Sequence, residues 1–153
     1  MVISKAPQSN RILILLATGF EETPVVYCVD HMREAGLPIS LVGLSTGLIK
    51  GLHGLMVRPD ISLDQIPPGT IYQGVIVPGG QQCVSSLLTD PRVHQIFEAT
   101  LQNDGFIAAM ATAASQLLAQ SSIPELGVMS CFVEQADMEI SEFTEHLINL
   151  LHR

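Results

Sequence analysis

The sequence predicts an α/β fold, a three-layer sandwich with a mostly parallel sheet and helices on both faces. Three observations carry this. Short apolar runs alternate along the chain with segments of helical spacing. The runs are apolar throughout, as strands covered on both faces must be. The core material is aliphatic: 47% of the residues are hydrophobic but only 5% are aromatic and none is Trp, which argues against an aromatic-rich β-sandwich.

The elements follow in order. RILILLA (Arg11–Ala17) is a continuous Ile/Leu run and reads as a fully buried strand. In TPVVYCVDHMREAG, Val25, Cys28, Val29 and Met32 share one helical face, with Asp30, Arg33 and Glu34 opposite. Pro24 suits the first turn of that helix and Gly36 its C-terminal stop. ISLVGL (Ile39–Leu44) is a second strand. TGLIKGLHGLMVRPD, with glycines at 47, 51 and 54, is spaced like a short hairpin. YQGVIVPGG (Tyr72–Gly80) is a third strand ending in a Pro-Gly-Gly turn. DPRVHQIFEATLQN is a helix with Pro91 in its first turn. FIAAMA (Phe106–Ala111) is a fourth strand and TAASQLLAQ its helix. GVMSCF (Gly127–Phe132) is a fifth strand. ISEFTEHLINLLHR closes the chain as a helix with Ile140, Phe143, Leu147, Ile148 and Leu151 on one face.

At 153 residues the chain fits one domain, spanning 11–153, behind a flexible N-terminus at 1–10. There is no repeat and no linker. The net charge is -8. Seven scattered basic residues are a poor match for phosphate, so nucleic acid is not an expected partner, and the same balance disfavours an anionic membrane surface. No apolar run approaches the ~20 residues that cross a bilayer. MVISKAPQSN lacks a signal-peptide pattern. Three widely spaced cysteines make neither a disulfide framework nor a zinc pattern, so the expected home is the cytoplasm. The five histidines do not cluster, so no metal is expected, and neither GxGxxG nor GxxxxGK[ST] is present, so no cofactor is expected.

In a parallel sheet the site lies at the carboxyl ends of the strands. Three stretches converge there: Gly19–Thr23, Pro78–Cys83 and Met110–Ala113. FIAAMATAASQLL turns sharply from strand to helix, which in many α/β enzymes is the turn that carries a nucleophile. Here it carries Ala111.

These stretches, in this order, resemble the ThiJ/PfpI superfamily. ATGFEETPVVYCVDHMREAG is similar to its first loop and helix, GLIKGLHGLMVRPDISLDQI to its hairpin, YQGVIVPGG and LLTDPRV to its Pro-Gly-Gly turn and following helix, and FIAAMATAASQLLA to its nucleophile elbow. The match runs from Arg11 to Ala119, and the last helix fits again. The resemblance implies a flavodoxin-like sandwich, a homodimer, and a site built from an elbow Cys, a Glu after strand one and a His. Laid on this chain, the Cys position falls on Ala111 and the Glu position on Pro24, just past Glu21 and Glu22. The residue after the elbow is Thr112, not His. Only SSIPEL separates the elbow helix from the last strand, so the later loop that carries another candidate His in relatives is missing.

Nucleophilic catalysis needs a group that becomes an anion near neutral pH. Ala111 offers a methyl group, and Pro24 carries no proton to exchange. The primary expectation is therefore a non-catalytic member of the superfamily that binds a small ligand or a protein partner. The alternative is a glyoxalase, deglycase or hydrolase using a relocated thiol, with Cys83 and Glu22 or Glu21 as the fallback pair. Cys83 also reads simply as a small residue starting a helix, and Cys28 and Cys131 as buried inert thiols. Glu21 and Glu22 are candidate rim carboxylates or else first-turn acids favoured by the helix dipole. Gly79 and Gly80 either lend backbone N–H groups to a ligand or merely make a tight turn. Thr112 either caps its helix or binds an anion there.

Overall fold

The structure is a computed structural model that describes residues 12–67, 69–120, 123, 126 and 129–152. The expected flexible stretch 1–10 lies outside the described residues. Strand β1 (Ile12–Leu16) is fully buried at all five positions. Helix α1 (Glu22–Glu34) follows, burying Val25, Cys28 and Met32. It stops where Gly36 takes a φ of +82°, a left-handed turn that glycine adopts without a Cβ clash. Strand β2 (Ile39–Gly43) precedes a hairpin of β3 (Ile49–Lys50) and β4 (Met56–Val57). Then come the two-residue strand β5 (Ile61–Ser62) and a 3-10 turn, Leu63–Gln65.

Strand β6 (Gly74–Val77) is buried throughout. Helices α2 (Gln81–Leu88) and α3 (Pro91–Gln102) follow. Asp90 caps α3 by accepting the Arg92 N–H at 2.9 Å, which satisfies one donor the helix start leaves open. Strand β7 (Phe106–Ala109), helix α4 (Ala113–Gln120), strand β8 (Phe132–Glu134) and helix α5 (Ile140–Leu151) complete the chain.

Six strands form one sheet in the order β5-β2-β1-β6-β7-β8, every neighbouring pair parallel. The chain moves one way from β1 to β2 and the other way from β6 through β7 to β8. Right-handed crossovers in opposite directions put their helices on opposite faces. Accordingly α1 packs with α5, and α2 with α3 and α4. The result is the expected α/β three-layer sandwich, with the hairpin as a separate two-stranded flap.

The fifth strand is displaced from its expected position. Gly127 and Val128 lie outside the described residues, Met129 has no regular structure and Ser130–Cys131 is turn. The observed β8 begins only at Phe132, where its register pairs Phe132 with Ile107 and Glu134 with Ala109. The apolar residues of VMSCF imitate a strand, but Phe132 donates to Met129 O and Met129 to Leu126 O, bonds that curl the chain before it joins the sheet. Cys131 therefore precedes the strand and is only half-buried.

Candidate functional site

The direction of winding switches between β1 and β6, and in parallel sheets a crevice at the strands' carboxyl ends is expected at such a point. The loop after β1, the turn after β6 and the turn after β7 all reach it. Glu21 donates its N–H to Gly79 O at 3.0 Å, joining the first two. Gly80 has a φ of +110°, and a Cβ there would come within 2.3 Å of Gly19 O, so only glycine lets these backbones approach. Gly19 donates to Lys50 O and Leu52 to Phe20 O, which lays the hairpin against the same loop.

The elbow itself is intact. Met110 donates to Val77 O and Ala113 to Met110 O, both at 2.9 Å. Between them Ala111 sits at a φ of +48°. A residue with a Cβ costs roughly 1–2 kcal/mol there, so it persists only where its surroundings impose it. The strand-to-helix turn that the sequence outline predicts is present, and the half-buried side chain at its left-handed position is a methyl group.

The carboxylate that reaches this turn is Glu21. A Cβ built on Gly79 would lie 1.9 Å from Glu21 Oε1 and 2.9 Å from the Ala111 methyl, so both atoms converge on the Gly79 α-carbon. Glu21 Oε1 is buried without a hydrogen-bond donor, a condition rare enough to mark a site. Matching position by position puts the family's glutamate at Pro24, which brings no carboxylate to the turn. Pro24 is the third residue of α1 and carries no acid, whereas Glu21, with extended backbone just before the helix (φ -75°, ψ 120°), aims inward.

Glu22 has a different task. Its carboxylate accepts the N–H groups of His53 at 2.7 Å and Leu55 at 3.2 Å, and meets the His53 ring at 3.1 Å. Burial pushes its carboxyl up, but the Leu55 and His53 backbone donors, its own N–H and the His53 ring together hold it below the ordinary value. Glu22 ties the hairpin to α1, so the fallback pairing of Cys83 with Glu22 has no geometric support.

Cys83 does not reach this turn. Its side chain is fully buried in the first turn of α2, and burial pushes it up to about 12, against the smaller opposing effect of the Ala17 backbone. Cys28 is likewise buried and pushed up to about 12, its Sγ 3.4 Å from Met32 Sδ. Thiols of that kind hold almost no thiolate near neutral pH. Thr112 is exposed one residue before α4. Among the described residues no group of three His, Cys, Asp or Glu could hold a metal ion.

One residue of the site gave no sequence signal. Gln135, just past β8, accepts the Ala111 N–H on its side-chain oxygen at 2.7 Å and is itself buried. The nearest recess, about 240 Å³, opens beside the crevice and is lined by Ala17, Thr18, Ser45, Gln82 and Ser86 among others. A roomier groove of about 480 Å³ runs along the flank of α3, away from the elbow.

The DJ-1/PfpI family model matches residues 10–146. The Parkinson disease protein 7 homolog of Danio rerio is 33% identical over 111 residues, covering 72% of this chain and 59% of that protein. The glutathione-independent glyoxalase DJR-1.2 of Caenorhabditis elegans is 28% identical over 120 residues, covering 78% and 63%. The chain thus spans about three fifths of the length of these relatives. Among solved structures, a cysteine-to-alanine mutant of the DJ-1 superfamily protein STM1931 from Salmonella typhimurium superposes with a TM-score of 0.77 at 19% identity, over 94% of this chain and 90% of that one. Drosophila melanogaster DJ-1beta gives 0.76 at 21% identity, over the same shares. With the family model matching most of its length, the chain belongs to the DJ-1/PfpI family.

Proposed function

We propose that this chain is a non-catalytic DJ-1/PfpI protein that binds a small ligand or a protein partner at the elbow rim. One observation carries the reading: the elbow holds its left-handed backbone at φ +48°, yet residue 111 is alanine. Catalysis by covalent attack needs an activatable nucleophile there. Binding needs only the rim, and the rim still presents the Glu21 acceptor and the Gly79–Gly80 turn. The test is a titration of ¹⁵N-labelled protein with methylglyoxal hydrate and with lactate. Shifts confined to Gly79, Gly80, Ala111 and Thr112 support the reading, and shifts elsewhere or nowhere count against it.

The second reading is an enzyme with relocated chemistry. It draws on relatives whose names include a glyoxalase and deglycases. Against it stands the Cys83 thiol, sealed in the core with burial pushing it up to about 12.

We also propose that the chain works as a homodimer. Leu48, Leu52, Leu55 and Met56 of the flap are about half exposed, as is Val26 of α1. Val26 lies one helical turn beyond Glu22, and Glu22 holds Leu55. Val26 and Leu55 are thereby neighbours, and with Leu52 and Met56 of the flap they offer apolar surface that a second copy would cover. Its three free thiols fit a reducing compartment such as the cytoplasm. No helix among the described residues is long and apolar enough to cross a membrane.

A further inference from the structure

We propose that Gln135 is the positioning residue of this site: its carboxamide, delivered by the strand at the margin of the sheet, holds residue 111 in the left-handed conformation and so fixes the rim. The inference rests on the elbow being the functional site, but its test reads elbow geometry directly and does not depend on any ligand binding.

The argument begins with the elbow's own deficit. Ala111 lies between the end of β7 and the start of α4, where neither ladder nor helix gives its backbone N–H an acceptor. A left-handed alanine is also unfavourable by itself. Gln135 answers both, because its side-chain oxygen takes the Ala111 N–H at 2.7 Å. No near neighbour in sequence supplies this bond; it spans 24 positions.

Gln135 is in turn held at every polar function it has. Its backbone N–H donates to Ala109 O at 2.9 Å, carrying the ladder between β7 and β8 one residue further. Its backbone oxygen accepts the Met138 N–H at 2.9 Å. Its side-chain N–H donates to Met138 O at 3.0 Å. The next residue, Ala136, is a second left-handed alanine, at φ +49°. One buried glutamine thus spans two strained alanines, one in the elbow and one in its own turn. Strain of this kind survives only where several bonds over-determine the backbone.

The choice of side chain follows. An amide offers an acceptor and a donor at once. A carboxylate in its place would keep the acceptor for Ala111 but set a negative charge against Met138 O. A hydrocarbon of the same length would leave the Ala111 N–H without a partner. The brace arrives on β8, which joins the sheet despite the short connection from α4.

The test is hydrogen exchange at individual amides of the full chain, for the wild type, Gln135→Ala and Gln135→Met. Met110 N–H, bonded to Val77 O, is the internal control. Both variants should exchange at Ala111 at least tenfold faster while Met110 keeps its protection to within twofold. Adding Ala111→Gly, which tolerates a positive φ, should recover part of the lost stability, so the two positions couple in a double-mutant cycle. Should either single variant fail to fold, the same comparison is made in the Ala111→Gly background. Unchanged exchange at Ala111, equal acceleration at Met110 and Ala111, or strictly additive effects of the two substitutions would each overturn the assignment.

Discussion

The backbone N–H of His53 donates to the Glu22 carboxylate at 2.7 Å, and that contact separates the roles of two adjacent glutamates. Glu22 fastens the flap, while Glu21 faces the elbow. Because its donors hold Glu22 below its ordinary value of 4.5 in the folded chain, its contribution to stability is fully present above that value. It is lost as pH falls from 4.5 through the folded value. Glu22→Gln should therefore lower stability at neutral pH and flatten the loss of stability on acidification. Urea unfolding at pH 7, 4.5 and 3.5 measures this, and identical pH profiles for the two proteins would contradict it.

The placement of Glu21 is tested by crowding it. Gly79→Ala puts a Cβ where Glu21 Oε1 already sits, 1.9 Å away. Overpacking of this kind costs about 1–3 kcal/mol. In a Glu21→Ala background the cost should fall by at least about 1 kcal/mol, the coupling expected of touching groups. Equal costs in both backgrounds, read from denaturant midpoints, would mean that Glu21 points elsewhere.

The three thiols should differ in reach. Cys28 and Cys83 are buried and pushed up to about 12, whereas Cys131 is only half-buried. Iodoacetamide at pH 7.5 should label Cys131 first and leave the other two until the chain is unfolded in urea. Mass spectrometry of the digested protein reads the order. Early labelling at Cys83 would be incompatible with its place in the core.

The apolar face has its own test. Leu52 is 55% exposed on the flap, and its side chain can be replaced without touching the bond its backbone makes to Phe20 O. Wild-type protein should sediment at twice the 16.5 kDa chain mass. Leu52→Glu should weaken association at least tenfold by burying a charge in that face. A monomeric wild type, or a variant that associates as well, would remove the dimer from the account.

Much of the fold was legible because parallel strands buried on both sides are apolar at every position. Ile12–Leu16 and Phe106–Ala109 announce themselves in that way. Strand β5, two residues long, shows no periodicity, and β8 was displaced because the turn before it is as apolar as a strand. The elbow was legible from its strand-to-helix outline, and so was the alanine it carries. The direction of Glu21 was not. Spacing cannot tell which of two neighbouring acids turns inward, since that depends on one standing just before the helix and the other just inside it. Gln135 left no trace, because its bond to Ala111 joins two turns that only the folded sheet brings together.

The central claim is that the family's scaffold persists here around a position that cannot attack. The most direct measurement is the consumption of methylglyoxal by wild-type protein and by Cys83→Ser at neutral pH. The account predicts that neither exceeds the buffer rate. Saturable turnover by the wild type that disappears in Cys83→Ser would contradict it.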